Sequence, residues 1–347
     1  MEIKEEVMIE TPDSAYEESE KNGSYKKHYS MPISKISSVA QGFLSRISSL
    51  RDEDDDEARA KLNELIDEMC SFNDCSGSAN EFHNFAVDLA RADEYRLACT
   101  VLDCGLTRFK KDVDLLADYL QYGIKCGLDE ETRRIYKSLK KIPTKKYTWR
   151  GFSFLIEYLQ YLMDQTDSEK QMSTYESEIQ EIIKDFKEKQ PSSEEPYRLE
   201  AELYHSLNME QEEVKALKQA FENVDVCPRC ALRYADIMLE KGDYTEACMA
   251  VDRGIINAMQ PQASVNEGYL YFLSALCAIA IVSKEGREYK KEEVEKIYTD
   301  FNLALKEFKR NTPYNSVIKS KTNVLISKTR IKVEADKFDK LADLITY

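Results

Sequence analysis

Residues 231–255 read Ala231-Leu232-Arg233-Tyr234-Ala235-Asp236-Ile237-Met238-Leu239-Glu240-Lys241-Gly242-Asp243-Tyr244-Thr245-Glu246-Ala247-Cys248-Met249-Ala250-Val251-Asp252-Arg253-Gly254-Ile255, and a proline follows at 261. Gly242-Asp243 divides the stretch into two short helices. Ala235 and Ala247 fall where those helices cross, and small side chains there let two backbones approach closely. Tyr244 fills the gap beside the turn. Pro261 closes the second helix, because a proline brings no N–H to the helical ladder.

Weaker copies surround this one, as a repeat array requires. Phe85-Ala86-Val87-Asp88-Leu89, then Asp93-Glu94-Tyr95, then Ala98, Leu102, Gly105 and Leu106 keep the same order and spacing. Leu116 to Leu139 follows it more loosely, with Gly127 at the turn and Pro143 at the end. Ala201, Tyr204, Asn208, Leu217, Ala220 and Phe221 give another copy, closed by Pro228. Each carries helix period. Over roughly residues 80 to 261 the chain resembles tetratricopeptide repeats (TPR). Thr132 and Glu213 depart from the pattern. They stand where the family carries a small alanine, which predicts looser packing in those two pairs or generic helical repeats in their place.

The resemblance implies an all-α fold, a right-handed α-solenoid of antiparallel helix pairs (a TPR-like superhelix). In such a solenoid the first helix of each pair lines the concave surface. Registered against the family pattern, His83, Val87 and Arg91 fall on that surface, then Gln121 and Lys125. Arg198, Glu202 and His205 come next, then Leu232, Asp236 and Glu240. The expected groove is basic around Arg91, Lys125 and Arg198 and acidic at Asp236 and Glu240. Its implied partner is a protein or peptide. Chaperone-binding members carry a lysine and asparagine clamp for a C-terminal carboxylate, and that pattern is not found here.

Composition agrees. A chain of 347 residues buries a sizeable core as one elongated array or as two domains. Its eleven glycines and eight prolines are few, and alternating strand patterns are hard to find. The net charge of −15 disfavours nonspecific binding to nucleic acid or to an anionic membrane. No apolar run is long enough to span a bilayer, and Leu270 to Val282 reads as a buried core helix. The acidic N-terminus lacks a signal-peptide pattern, which predicts a soluble cytoplasmic protein.

Nine cysteines are present, and most lie inside helical patterns. Cys99, Cys126, Cys248 and Cys277 read as small apolar core residues, reduced in a cytoplasmic chain. Cys227-Pro228-Arg229-Cys230 has the spacing of half a zinc site, but no second pair of ligands accompanies it. No metal is expected.

Five segments follow from the pattern along the chain. Residues 1–30 are polar and charged and predict a disordered acidic tail. Residues 31–79 predict a helical cap, with Ile33, Ile36, Ala40, Phe43, Ile47 and Leu50 on one stripe. In the same segment the acidic run Asp52 to Glu57 lacks the central glycine of a calcium loop. It suits the N-terminus of the helix carrying Leu62, Leu65, Ile66 and Met69, where carboxylates are favoured. Residues 80–190 hold the first repeats, including the aromatic helix around Trp149 to Leu162 with its partner over Tyr175 to Lys189. Whether that helix faces groove or core is open by about one turn. Gln190 to Pro196 is the clearest break and the candidate hinge, and residues 191–261 hold the second repeats. Residues 262–347 predict a helical cap, with helices over Glu267–Ser283, Lys291–Lys309 and Ser316–Lys340.

No catalytic constellation is found, and no cofactor motif. The histidines are His28, His83 and His205, and there is no nucleophile elbow, phosphate loop or zinc-protease motif. One feature cuts against the acidic average. Arg133, Arg134, Lys137, Lys140, Lys141, Lys145, Lys146 and Arg150 lie close together, with Tyr136, Tyr147 and Trp149 among them. Such a patch reads as a solvated face, as a surface for an acidic protein, or as a nucleic-acid site that stacks bases. The expected function is a non-catalytic scaffold or adaptor, with a nucleic-acid-associated regulator as the alternative.

Overall fold

A computed structural model describes residues 32–49, 56–71, 76–259 and 267–308. The expected tail over 1–30, Pro261 and the expected helix over Ser316–Lys340 lie outside the described residues. Among the described residues the fold is all-α, with one isolated bridge between Pro32 and Ser76. The chain divides into two compact units between Gln165 and Thr166. Gln190–Pro196 therefore separates two helices inside the second unit.

The first unit holds α1 (Ile33–Ser49), α2 (Asp56–Ser71), α3 (Ala79–Arg91), α4 (Tyr95–Arg108), α5 (Val113–Lys125), α6 (Asp129–Leu139) and α7 (Trp149–Asp164). A 3₁₀ turn over Thr144–Lys146 precedes α7. The second unit holds α8 (Glu169–Lys189), α9 (Glu195–Ser206), α10 (Glu210–Asn223), α11 (Pro228–Lys241), α12 (Tyr244–Ala258), α13 (Glu267–Glu285) and α14 (Lys291–Phe308). Within each unit helices pack mostly on neighbours in sequence, and several also pack on the next but one. Thus α3 meets α4 and α5, and α11 meets α12 and α13. This is the solenoid arrangement of antiparallel helix pairs, TPR-like in each unit.

The turns inside the pairs show why the chain folds this way. Each reverses the backbone through a residue in the left-handed region. These are Asp93 (φ 62°), Gly127 (φ 70°), Asn208 (φ 56°), Gly242 (φ 75°) and Gly286 (φ 62°). Glycine reaches that region without cost, and Asp and Asn tolerate it better than other residues. At Gly242 the reversed amides bond back to α11, and the Asp243 carboxylate accepts from the Glu246 amide to cap α12. Ala235 and Ala247 are fully buried. A methyl group on Gly254 would stand 2.8 Å from Leu270 and 3.3 Å from Ala231, so this glycine lets α12 settle against both α11 and α13.

The two departures from the small-residue pattern do not loosen their pairs. Thr132 is buried, its hydroxyl donating to the Leu128 carbonyl, because Gly123 on the facing helix makes room. A methyl on Gly123 would meet the Thr132 methyl at 2.3 Å. Glu213 is buried as half of an ion pair with Arg233. Two further expectations shift. Pro228 opens α11 as its first residue rather than closing the preceding helix. On α1, Leu44 is buried where Phe43 was expected to point inward, giving Ile33, Ile36, Ala40 and Leu44 as the buried stripe. Asp56 and Glu57 do lie in the first turn of α2. Leu270 to Val282 sits in buried α13, and no described helix is long and apolar enough to cross a membrane.

Candidate functional site

Three alternate helices of the first unit, α3, α5 and α7, are joined at Asp118. His83 on α3 presents Nδ1 to Oδ2 of Asp118 on α5. Arg150 on α7 places Nε 3.9 Å from the other Asp118 oxygen, which has no hydrogen bond. His83 and Asp118 are buried; Arg150 keeps 30% of its side chain exposed. Burial pushes the Asp118 carboxyl above the usual carboxylate range, and His83 and Arg150 only partly offset that. Arg150 also lies 4.9 Å over the ring of Trp149, itself 45% exposed. The aromatic helix thus faces both ways: Phe152, Leu155, Ile156 and Leu159 enter the core, while its first residue meets solvent.

The other expected residues of this face are placed unequally. Val87 and Gln121 are half-buried. Arg91 is exposed and pairs with Asp88 at 3.3 Å, one turn back on α3. Lys125 turns toward α4, with its ammonium 4.7 Å above the Tyr95 ring and 3.3 Å from the phenol oxygen. Asp118 was not among the expected site residues. Its signal is a lone carboxylate inside the apolar run Leu115 to Leu120.

The second unit spends its charges internally. Arg198 lies between Glu195, at 2.6 Å, and Glu202. Burial alone would lower the Arg198 pKa, but the two carboxylates raise it. Glu195 also meets burial, which raises it, yet Arg198 and Arg229 leave it below its ordinary value. Glu194 accepts from the backbone amides of Arg229 at 3.0 Å and Cys230 at 3.2 Å, capping α11 from the N-terminal end of α9. Three carboxylates thus surround two guanidiniums, and the basic character expected at Arg198 is cancelled. His205 is exposed but shares Nδ1 with Arg233 at 2.9 Å and Glu213 at 3.2 Å. Asp236 is buried and accepts from the Tyr269 hydroxyl at 3.1 Å, so it is not an exposed acidic terminus. Leu232 is half-buried against the core, and Glu240 is exposed.

The basic patch does not stay together. Arg133, Arg134, Lys137 and Lys141 line one shallow groove on α6 and the turn after it, with Glu130 and Ser138. Arg134 reaches Asp103 at 3.2 Å. Lys145 and Lys146 stand on the 3₁₀ turn, and Arg150 departs toward Asp118. The aromatics are largely occupied. Tyr147 is buried and donates to the Leu139 carbonyl at 2.9 Å. Tyr136 leans on Tyr158 at 5.3 Å, and Lys140 lies 5.2 Å over its ring.

Two constellations resemble catalytic ones. Lys296 stands 2.6 Å from the Ser274 hydroxyl and 3.1 Å from Asp300. A Ser–Lys dyad needs a neutral lysine and a reachable hydroxyl. Burial lowers the Lys296 pKa, Asp300 more than restores it, and Ser274 is fully buried. Cys227 and Cys230 are buried, with thiol pKa values pushed up by burial, to about 11 for Cys227. Among the described residues no group of three or more His, Cys, Asp or Glu is arranged to hold a metal.

No protein-family model matches the chain, and no curated protein matches it. Among solved structures it is similar to TTC0263, a thermophilic TPR protein of Thermus thermophilus. The identity is 19%, covering 59% of this chain and 100% of that one, with a TM-score of 0.43. It is also similar to the human IFIT1 dimer with m7Gppp-AAAA, at 14% identity over 95% of this chain and 72% of that one, TM-score 0.40. The TPR2AB domain of yeast Sti1 in complex with pHSP90 matches at 15% identity over 89% of this chain and 99% of that one, TM-score 0.27. Likeness at this level bears on no individual residue of the chain.

Proposed function

We propose that the chain is a non-catalytic scaffold that binds a protein or peptide segment on the inner helix face of its first unit. The observation that carries this reading is the convergence of α3, α5 and α7. There His83 and Asp118 are spent on each other, while Arg150 retains donors that no described group takes, beside an exposed tryptophan. Arginine and tryptophan are the residue types that dominate protein interfaces. Val87, Arg91 and Gln121 extend the same face along α3 and α5. Buried His83 and Asp118 act by holding the helices in register. In the second unit Arg198, Glu202, His205 and Asp236 are engaged internally, Leu232 is half-buried against the core and Glu240 is exposed, so these residues carry no part of the proposed surface.

The reading is tested by selecting peptides from a random displayed library on the full chain. Their affinity is then measured for wild type and for Arg91→Glu with Gln121→Glu. The expected result is a loss of about tenfold or more, as for paired charges removed from an interface. Unchanged affinity in the double variant would overturn the reading.

A further inference from the structure

We infer that the outer face of α6 is a second, independent docking surface, and that its partner is an acidic polypeptide segment carrying carboxylates at helical spacing. Arg133 and Lys137 stand four residues apart on α6, about 6 Å along the helix axis, and Lys141 follows in the turn that ends the helix. They line one open groove. Among the described residues none of the three forms an ion pair, whereas Arg134 beside them is bound to Asp103. Each of the three is exposed. A row of unmatched cations is unusual in a chain of net charge −15, where carboxylates are plentiful. The same step of about 6 Å separates residues i and i+4 on any other helix. An acidic helix laid along α6 therefore meets Arg133 and Lys137 in register, with Lys141 at the end of the same groove for a further carboxylate, and the sign of the charges fixes the pairing.

The rings decide against a nucleic-acid strand. Binding a single strand without sequence preference relies on exposed aromatic faces that stack bases beside a cationic groove. Here Tyr147 is buried, and Tyr136 is covered by Tyr158 and Lys140. Trp149 carries Arg150 on its ring and belongs to α7. The α6 groove offers cations without a stacking platform, which suits carboxylates.

The test is fluorescence anisotropy on the full chain with two labelled probes. One is a 16-residue alanine-based peptide with glutamate at every fourth position; the other is a 16-nucleotide oligouridine. Wild type should bind the peptide more tightly than the oligouridine, with affinity falling as salt rises. Arg133→Gln, Lys137→Gln and Lys141→Gln together should lose roughly tenfold or more in peptide affinity, since several exposed charge pairs go at once. A control variant carrying Lys170→Gln, Lys184→Gln and Lys215→Gln removes the same charge from exposed positions of the second unit and should bind as wild type does. Circular dichroism verifies that both variants fold, and the single Lys137→Gln change gives a smaller loss in the same direction. Equal peptide binding by the two triple variants would overturn the inference. So would tighter binding of oligouridine than of peptide.

Discussion

The two units carry similar numbers of arginines on their first helices but treat them differently. In the second unit Arg198, Arg229 and Arg233 are each closed by carboxylates: Arg198 by Glu195 and Glu202, Arg229 by Glu194 and Glu195, Arg233 by Glu213. In the first unit the carboxylate at the centre, Asp118, is taken up by buried His83, and Arg150 stands off at 3.9 Å. A closed network holds helices together and leaves little for a ligand. An open one leaves donors pointing at solvent. The difference shows that the count of charges on a helical face does not measure its capacity to bind; the pairing of those charges does.

The largest effect that would break this comparison lies in the closed network. Glu194→Ala removes the cap of α11 and leaves Arg229 with Glu195 alone, so it should cost roughly 1–2 kcal/mol. A denaturant titration checks this. A loss well below 1 kcal/mol would mean that the network is dispensable and the two units are alike.

Acid should separate the two networks by sign. Glu195 is held below its ordinary value of 4.5, so its contribution is present above pH 4.5 and is lost as pH falls through the folded value. Asp118 is held above its ordinary value of 3.8, so its folded state is favoured when protonated. Its contribution is full below pH 3.8 and is lost as pH rises through the raised folded value. Melts of Glu195→Gln against wild type should therefore converge as pH falls from about 6 to about 3. Melts of Asp118→Asn should differ from wild type in the opposite sense, with the variant gaining relative to wild type as pH rises. Parallel curves for both variants would remove the distinction.

The turns and the crossing residues were legible in the sequence because they depend on one residue at a time. Gly127 and Gly242 reverse the chain through their own φ, and Ala235 and Ala247 are small wherever they stand. Pairing was not legible, because it depends on a second residue far away. Thr132 looks like a packing fault until Gly123 is seen opposite. Arg198 looks like a basic groove residue until Glu195 and Glu202 close on it. The basic run from Arg133 to Arg150 is continuous in sequence, but a 3₁₀ turn and a helix start send its halves to different helices. Asp118 was hidden by its apolar neighbours, since an apolar run is read as core.

The smallest effect concerns stability. Arg91→Glu with Gln121→Glu should change the folding free energy by less than about 1 kcal/mol, because Arg91 is exposed, Gln121 is only half-buried, and charges near the surface contribute little. A melting temperature unchanged alongside lost peptide binding would place these residues on the working surface of the open network.

Hydrogen–deuterium exchange of the full chain with and without a library-selected peptide tests the central claim most directly. The open inner face predicts slower exchange in α3, α5 and α7 on binding, with α9 and α11 unchanged. Protection confined to α9 and α11, with none on α3, α5 and α7, would contradict it.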